Sequence, residues 1–178
     1  MLKDFDVGWF EEPVRPDAIE DYCELRRCSP VPIAGCEVLT RRQSFIPWLT
    51  RGAIDIVQPD VTKVGGISEQ RRIARMAYDF GVKYVGHGWN TALGVAADLQ
   101  MASAFPDADL VEFIGRSPYV DGILEEPLAL DEDGWVTNPE PTRPWCHHRT
   151  RQTGSLHAAR HTSFRLGLGC FPRGSIGP

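Results

Sequence analysis

Short apolar runs and longer segments with helical spacing alternate along the first 114 residues. The apolar lead-in VGWF (7–10) reaches Glu11, and VPIAG (31–35), AIDIVQPD (53–60), VKYVGH (82–87) and DLVEFI (109–114) follow. Runs this short and this rich in Val and Ile predict buried strands. Between them the apolar positions recur every three or four residues, which predicts helices. Asp17 and Glu20 have the spacing of a capping box for a helix to about Arg27, with Ile19, Tyr22 and Cys23 on one stripe. Thr40 and Gln43 repeat that pattern ahead of Phe45, Ile46, Trp48 and Leu49, although Pro47 argues against an unbroken helix. Gly65-Gly66 turns the chain, and Ser68 is placed to cap a helix carrying Ile73, Ala77 and Phe80 on one face. Gly81 stands where a helix commonly ends on glycine. Residues 91–104 form a mostly apolar helix stopped by Pro106. Trp9, Phe10, Trp48 and Phe80 are expected in the core, and Cys23 and Cys28 as small buried side chains.

Strand and helix in alternation imply a parallel sheet with helical crossovers. A polar residue stands at or near the C-terminal end of each run: Glu11, Glu37, Asp60, His87 and Glu112. Their separations are 26, 23, 27 and 25 residues, about one strand-helix unit each. In a (β/α) barrel all strands point one way, so these ends meet at one mouth, where barrel enzymes keep their chemistry. The predicted fold is α/β, part of a TIM-type barrel.

Those residue types point to a defined chemistry. Glu11 and Glu37 are hard oxygen donors suited to Mg2+. His87 is a proton-transfer group near neutral pH, and Asp60, one strand earlier, can fix its ring tautomer. A metal ion beside a base suits removal of a proton next to a carboxylate, with the metal stabilising the enolate.

The segments WFEEP, VPIAGCE, DIVQPDVTKVGG and GHGWN, in that order and spacing, resemble the enolase superfamily, specifically the mandelate racemase subgroup. The likeness runs from about residue 4 to residue 140 and includes SPYVDGILEEPLALDEDGWVTNP. It implies Mg2+-dependent proton abstraction, most readily dehydration of a sugar acid, with racemisation or epimerisation of a hydroxy acid as an alternative. It implies Glu11 and Glu37 as metal ligands and Glu12 as a neighbour that does not bind. Asp60 and His87 match the family's dyad, Glu112 a carboxylate bonded to the substrate's carboxylate, and Trp89 and Asn90 face the site and bear on substrate choice. Lys63 receives no catalytic role. The partners implied are a small acid-sugar substrate and, for full-length family members, copies of the same chain.

Three departures accompany the likeness. Cys36 stands where the family pattern has the second glycine of Gly-Gly-Glu. The family's first metal ligand, an Asp, lies on a strand before the first one here, and the chain matches about strands 4–8 with no capping domain. The chain is therefore expected to be marginally stable, to self-associate, or to be a non-catalytic fragment.

Composition refines this picture in two ways. The chain has 178 residues, 42% hydrophobic and 24% charged, enough for one sizeable core or part of a larger domain. No apolar run approaches a membrane span, the N-terminus has no apolar signal region, and five cysteines lack a disulfide-framework spacing. A cytoplasmic protein with reduced thiols and no membrane partner is expected. Charge then divides the chain. Residues 1–140 carry all 24 acidic residues against 13 basic ones, a formal −11, and the charge gives no hint of nucleic-acid binding by the main body. Residues 141–178 carry six arginines, four of the five histidines and no acid. Residues 1–140 are read as the barrel domain and 141–178 as a basic tail, disordered or translated out of frame. The alternatives for the tail are a nucleic-acid arm or a zinc site from Cys146, His147, His148, His157, His161 and Cys170, whose spacing matches no zinc pattern.

Overall fold

The computed structural model describes residues 2–114, 122, 127–137 and 163–166. A 3-10 turn at Leu2–Phe5 leads into β1 (Phe10–Glu11), α1 (Ile19–Cys28), β2 (Ile33–Gly35), α2 (Arg41–Thr50) and β3 (Ile56–Val57). Then come α3 (Val61–Val64), α4 (Ile67–Asp79), β4 (Lys83–Tyr84), α5 (Ala92–Ser103), β5 (Leu110–Val111), β6 (Trp135–Thr137) and β7 (Ser163–Leu166). The first four strands pair in parallel in chain order, and a parallel bridge from Gly86 to Val111 continues that order to β5. This is the expected α/β architecture with a partial barrel's strand order. The paired strands are shorter than the apolar runs, but the ladder runs on past them, with Gln58 N–H donating to Gly35 O at 2.8 Å and His87 N–H to Pro59 O at 3.1 Å.

The period of two along each strand sorts the side chains. Ile33, Val57 and Tyr84 join the core beneath the helices, with Tyr22, Phe45, Trp48, Ile73 and Leu99. Ala34, Ile56, Val85 and Leu110 form a second cluster with Trp9 packed against it. Two residues beyond Trp9, Ile56, Val85 and Leu110 stand Glu11, Gln58, His87 and Glu112. One sheet face thus carries an apolar layer followed by a polar one.

Local signals fared unevenly. Gly81 takes φ 68°, and its N–H donates to Tyr78 O while Val82 N–H donates to Ala77 O, closing α4 in a Schellman motif. Neither capping box forms. α1 starts after Ala18, and Asp17 pairs instead with Arg15 at 2.8 Å. Thr40 makes no side-chain cap on α2; the Arg42 N–H is taken by Glu69 of α4 at 3.2 Å. Ser68 lies inside α4, whose N-cap is Gly66. Trp48 is buried as expected, but Phe10 is 41% exposed on the edge strand β1, and Phe80 is 50% exposed at the end of α4. Cys23 is half-buried and Cys28 exposed, and with buried Cys36 they are free thiols.

Four residues of the basic stretch form β7, which pairs in parallel with β5 and antiparallel with β6. The candidate zinc residues Cys146, His147, His148, His157, His161 and Cys170 lie outside the described residues. Among the described residues no helix is long and apolar enough to cross a membrane.

Candidate active site

The five strand-end residues converge. The His87 Nδ1 lies 3.0 Å from Asp60 Oδ2, with both side chains buried. Its Nε2 lies 2.9 Å from Glu37 Oε2 and 3.9 Å from Glu112 Oε2. Asp60 caps α3: its Oδ1 accepts from the Thr62 backbone N–H at 2.8 Å and from the Thr62 hydroxyl at 2.6 Å. Burial pushes the Asp60 carboxyl up, but these bonds, the His87 contact and the nearby Lys63 charge outweigh it and hold it below the usual range. Asp60 is therefore an anion at neutral pH that orients the His87 ring through Nδ1 and leaves Nε2 facing Glu37 and the cavity. Lys63 Nζ stands 3.5 Å from Asp60 and 3.8 Å from Glu37.

Gln58, fully buried, ties the carboxylates together. Its Nε2 donates to Glu11 Oε2 at 2.8 Å and to Glu112 Oε1 at 3.1 Å. Glu11 Oε2 also accepts from Trp9 Nε1 at 3.1 Å. Burial raises the Glu112 carboxyl, opposed by the Gly88 N–H, which donates to its Oε2 at 2.7 Å. Burial, with Glu37 and Glu11 nearby, raises Glu12 as well, and Glu12 Oε1 is buried without a partner. Cys36 is buried with φ 85°, in the left-handed region that glycine occupies freely. The side chain is accommodated there beside Glu37.

Glu11, Glu37, His87, Trp89 and Glu112 line a cavity of about 730 Å³ floored by Val85 and Leu110. Trp89 is 79% exposed at its rim. Asn90 is not among the lining residues; its Nδ2 turns towards Asp60 Oδ1 (3.5 Å) and His87 O (3.4 Å). Between His87 and Trp89, Gly88 is pressed so closely on Glu112 that a Cβ there would overlap the Glu112 carbonyl. Sequence reasoning missed Gln58 and the buried pair Gln70 and Asp98. The available signal was a polar residue in an apolar segment: Gln58 two places before Asp60, and Asp98 within ALGVAADLQMAS.

A family model described as enolase C-terminal domain-like matches residues 1–144. The chain belongs to this family. The D-galactarolactone cycloisomerase of Agrobacterium fabrum is 39% identical over 145 residues, which cover 76% of this chain and 38% of that protein. The arabinonate dehydratase of Saccharolobus solfataricus is 30% identical, over 80% of this chain and 38% of that protein. Among solved structures, a mandelate racemase/muconate lactonizing enzyme from Sulfitobacter superposes with a TM-score of 0.65 at 33% identity, covering 69% of this chain and 31% of that one. The chain spans about a third of the length of three curated relatives that it matches, 32–38%. In this enolase-type chain, β1 to β4 run parallel in chain order.

The Mg2+ that the enolase resemblance implies can be weighed against the donors present. Among the described residues, no group of three or more His, Cys, Asp or Glu side chains is arranged to hold a metal ion. Mg2+ is commonly held by one or two carboxylates, with water and substrate oxygens completing its shell. Glu11 and Glu37 fit that requirement in kind, on neighbouring strand ends beside an unpartnered buried oxygen of Glu12.

Proposed function

We propose that the chain carries the base side of a Mg2+-dependent site that removes the proton next to a carboxylate, with dehydration of a sugar acid as the overall reaction. The observation that supports this most is the His87 ring, held on Nδ1 by anionic Asp60 and presenting Nε2 to a cavity lined by three carboxylates. In this reading Nε2 accepts the substrate's α-proton. Glu37, now 2.9 Å from Nε2, turns off the ring to admit the substrate. Glu112, whose proton affinity is raised by burial, hydrogen-bonds the substrate carboxylate. The His87 imidazolium then returns its proton to the departing β-hydroxyl, so that water leaves and an enol remains. A Mg2+ held by Glu11 and Glu37 would supply stabilisation of the negative charge that develops on the carboxylate oxygens. Trp89, exposed at the rim, bears on substrate choice. Cytoplasmic location and self-association belong to the same reading.

The 39%-identical cycloisomerase favours a second outcome from the same first step, in which a ring oxygen departs in place of a hydroxyl. Solvent-deuterium exchange separates chemistry from its absence. A panel of sugar acids and their lactones is incubated in D2O with Mg2+ and the chain, alone and with the N-terminal part of a relative supplied. Deuterium at the α-carbon that disappears in His87→Asn is expected. No uptake under either condition overturns the proposal and leaves a non-catalytic fragment.

A further inference from the structure

Away from the cavity lining lies a second set of buried polar side chains that the proposed reaction does not use. Gln70 of α4 and Asp98 of α5 are 0% and 1% exposed. Asp98 is the one Asp, Glu, Lys or Arg in the mostly apolar α5, and burying a charge is costly unless it is partnered or neutralised. Its Oδ1 accepts from Gln70 Nε2 at 2.7 Å. The same Nε2 donates to the Pro59 carbonyl at 3.1 Å. That carbonyl immediately precedes Asp60, and it also accepts the backbone N–H of His87 at 3.1 Å. One carbonyl oxygen therefore joins the chain at Asp60 to the chain at His87, and Gln70 anchors it to Asp98.

Space and polarity support the link. A Cβ on Gly86 would lie 3.0 Å from Asp98 Oδ1 and 3.1 Å from the Tyr84 hydroxyl, so Asp98 is packed directly against the end of β4. The titratable groups that act on Asp98 or adjoin it are Tyr84 of β4, Asp60 beyond β3 and Glu112 beyond β5, and α4 presents the neutral Gln70. Burial first, then the negative charges of Asp60 and Glu112, push the Asp98 carboxyl up to about 8, against hydrogen bonds from Gln70 and Asn90. Asp98 Oδ2, Gln70 Oε1 and Asn90 Oδ1 are buried without partners. The Tyr84 hydroxyl is likewise buried without a partner, and a protonated Asp98 adds a second donor to this set of acceptor oxygens.

We propose that Asp98 is a positioning residue for the Asp60–His87 pair, acting through Gln70 and the Pro59 carbonyl. Its importance for catalysis rests on the reading of that pair as the catalytic dyad; the geometric coupling does not. The test follows the His87 ring proton by NMR in the full chain labelled with 15N-histidine, the signal being assigned by its loss in His87→Asn. A slowly exchanging Nδ1–H is expected in the unsubstituted chain. In Asp98→Ala its exchange with water speeds at least tenfold, while amides of α1 and α2 keep their protection. In Asp98→Asn the amide oxygen still receives Gln70, and the slow proton returns. If Asp98→Ala does not fold, Gln70→Met cuts the same link with an apolar side chain of similar length and gives the same acceleration. An unchanged His87 ring in the folded variant, or no rescue by asparagine, overturns the proposal. Failure of the proton-abstraction reading is seen separately, as no deuterium uptake by substrate while the His87 ring proton stays slow.

Discussion

In the Asp98→Asn variant a carboxyl that burial holds protonated is exchanged for an amide of the same shape. The wild-type group is 1% exposed and titrates at about 8 in the folded chain, against roughly 3.9 for an unfolded aspartate. Below roughly pH 4 both states carry the proton, and the stability tied to it is fully present. As the pH rises from there the unfolded chain releases the proton and the folded one keeps it, so stability falls by about 1.4 kcal/mol per unit and levels off above the folded value. Integrated from pH 6 to 8, the loss is about 2 kcal/mol, which for a chain of this size is roughly 4 to 8 °C in Tm. Asparagine cannot titrate, so this loss vanishes. Thermal melts of both proteins at half-unit steps over that range give the difference curve. Asp17, Glu20, Asp60 and Glu69 are held below their ordinary values and act only in acid. Glu12 and Glu112 are raised, and their common contribution cancels in the difference. Parallel wild-type and variant curves would refute the assignment of a neutral, buried Asp98.

Four further outcomes are expected. Mg2+ at a hundred times its Kd stabilises the folded chain by about 2.7 kcal/mol in a thermal-shift assay, and Glu37→Gln removes most of that gain; equal shifts in both count against Glu37 as a ligand. Gln58→Leu takes away the amide that bridges Glu11 and Glu112 and costs about 1–3 kcal/mol by urea unfolding, through the unsatisfied carboxylate oxygens left behind. Tyr22 is fully buried, its ring centroid 4.7 Å from that of Trp48 and its hydroxyl 3.3 Å from Val14 O. Tyr22→Ala therefore costs about 3–5 kcal/mol and Tyr22→Phe about 1 kcal/mol in the same assay, and equal costs would contradict the packing account. Phe10→Lys on the edge strand β1 shifts the chain towards monomer in size-exclusion chromatography; an unchanged elution volume argues that β1 takes no part in association.

The sheet order and the strand-end polar set were legible because both rest on periods. A strand-helix unit of about 25 residues brings Glu11, Glu37, Asp60, His87 and Glu112 to one end, and the period of two along each strand decides which of them share a face. Helix starts were less legible, because partners distant in sequence supplied what local patterns promised. Glu69, from the next long helix, takes the Arg42 N–H in the first turn of α2, where Thr40 and Gln43 were expected to supply the cap. Asp17 is consumed by Arg15 two residues away. Gln58 and Asp98 were overlooked because each sits in a segment whose apolar neighbours define the element. In both cases the polar side chain is the informative departure, since a buried amide or acid must find partners across the fold. Phe10 and Phe80 show the converse: large apolar size carries no information about where an edge or a helix end lies.

The loop from His87 to Asn90 has unequal freedom along its length. Gly88 is sealed against Glu112, and Asn90 against Gly94, where a Cβ would overlap the Asn90 amide. Trp89 between them stands mostly in solvent at the cavity rim. A library that randomises these positions together should therefore return glycine at 88 and 94 among folded members, with diversity gathering at 89. On the proposed function, new substrate preferences are sought at that single side chain while His87 beside it stays in place, a separation between what the loop must hold still and what it is free to try.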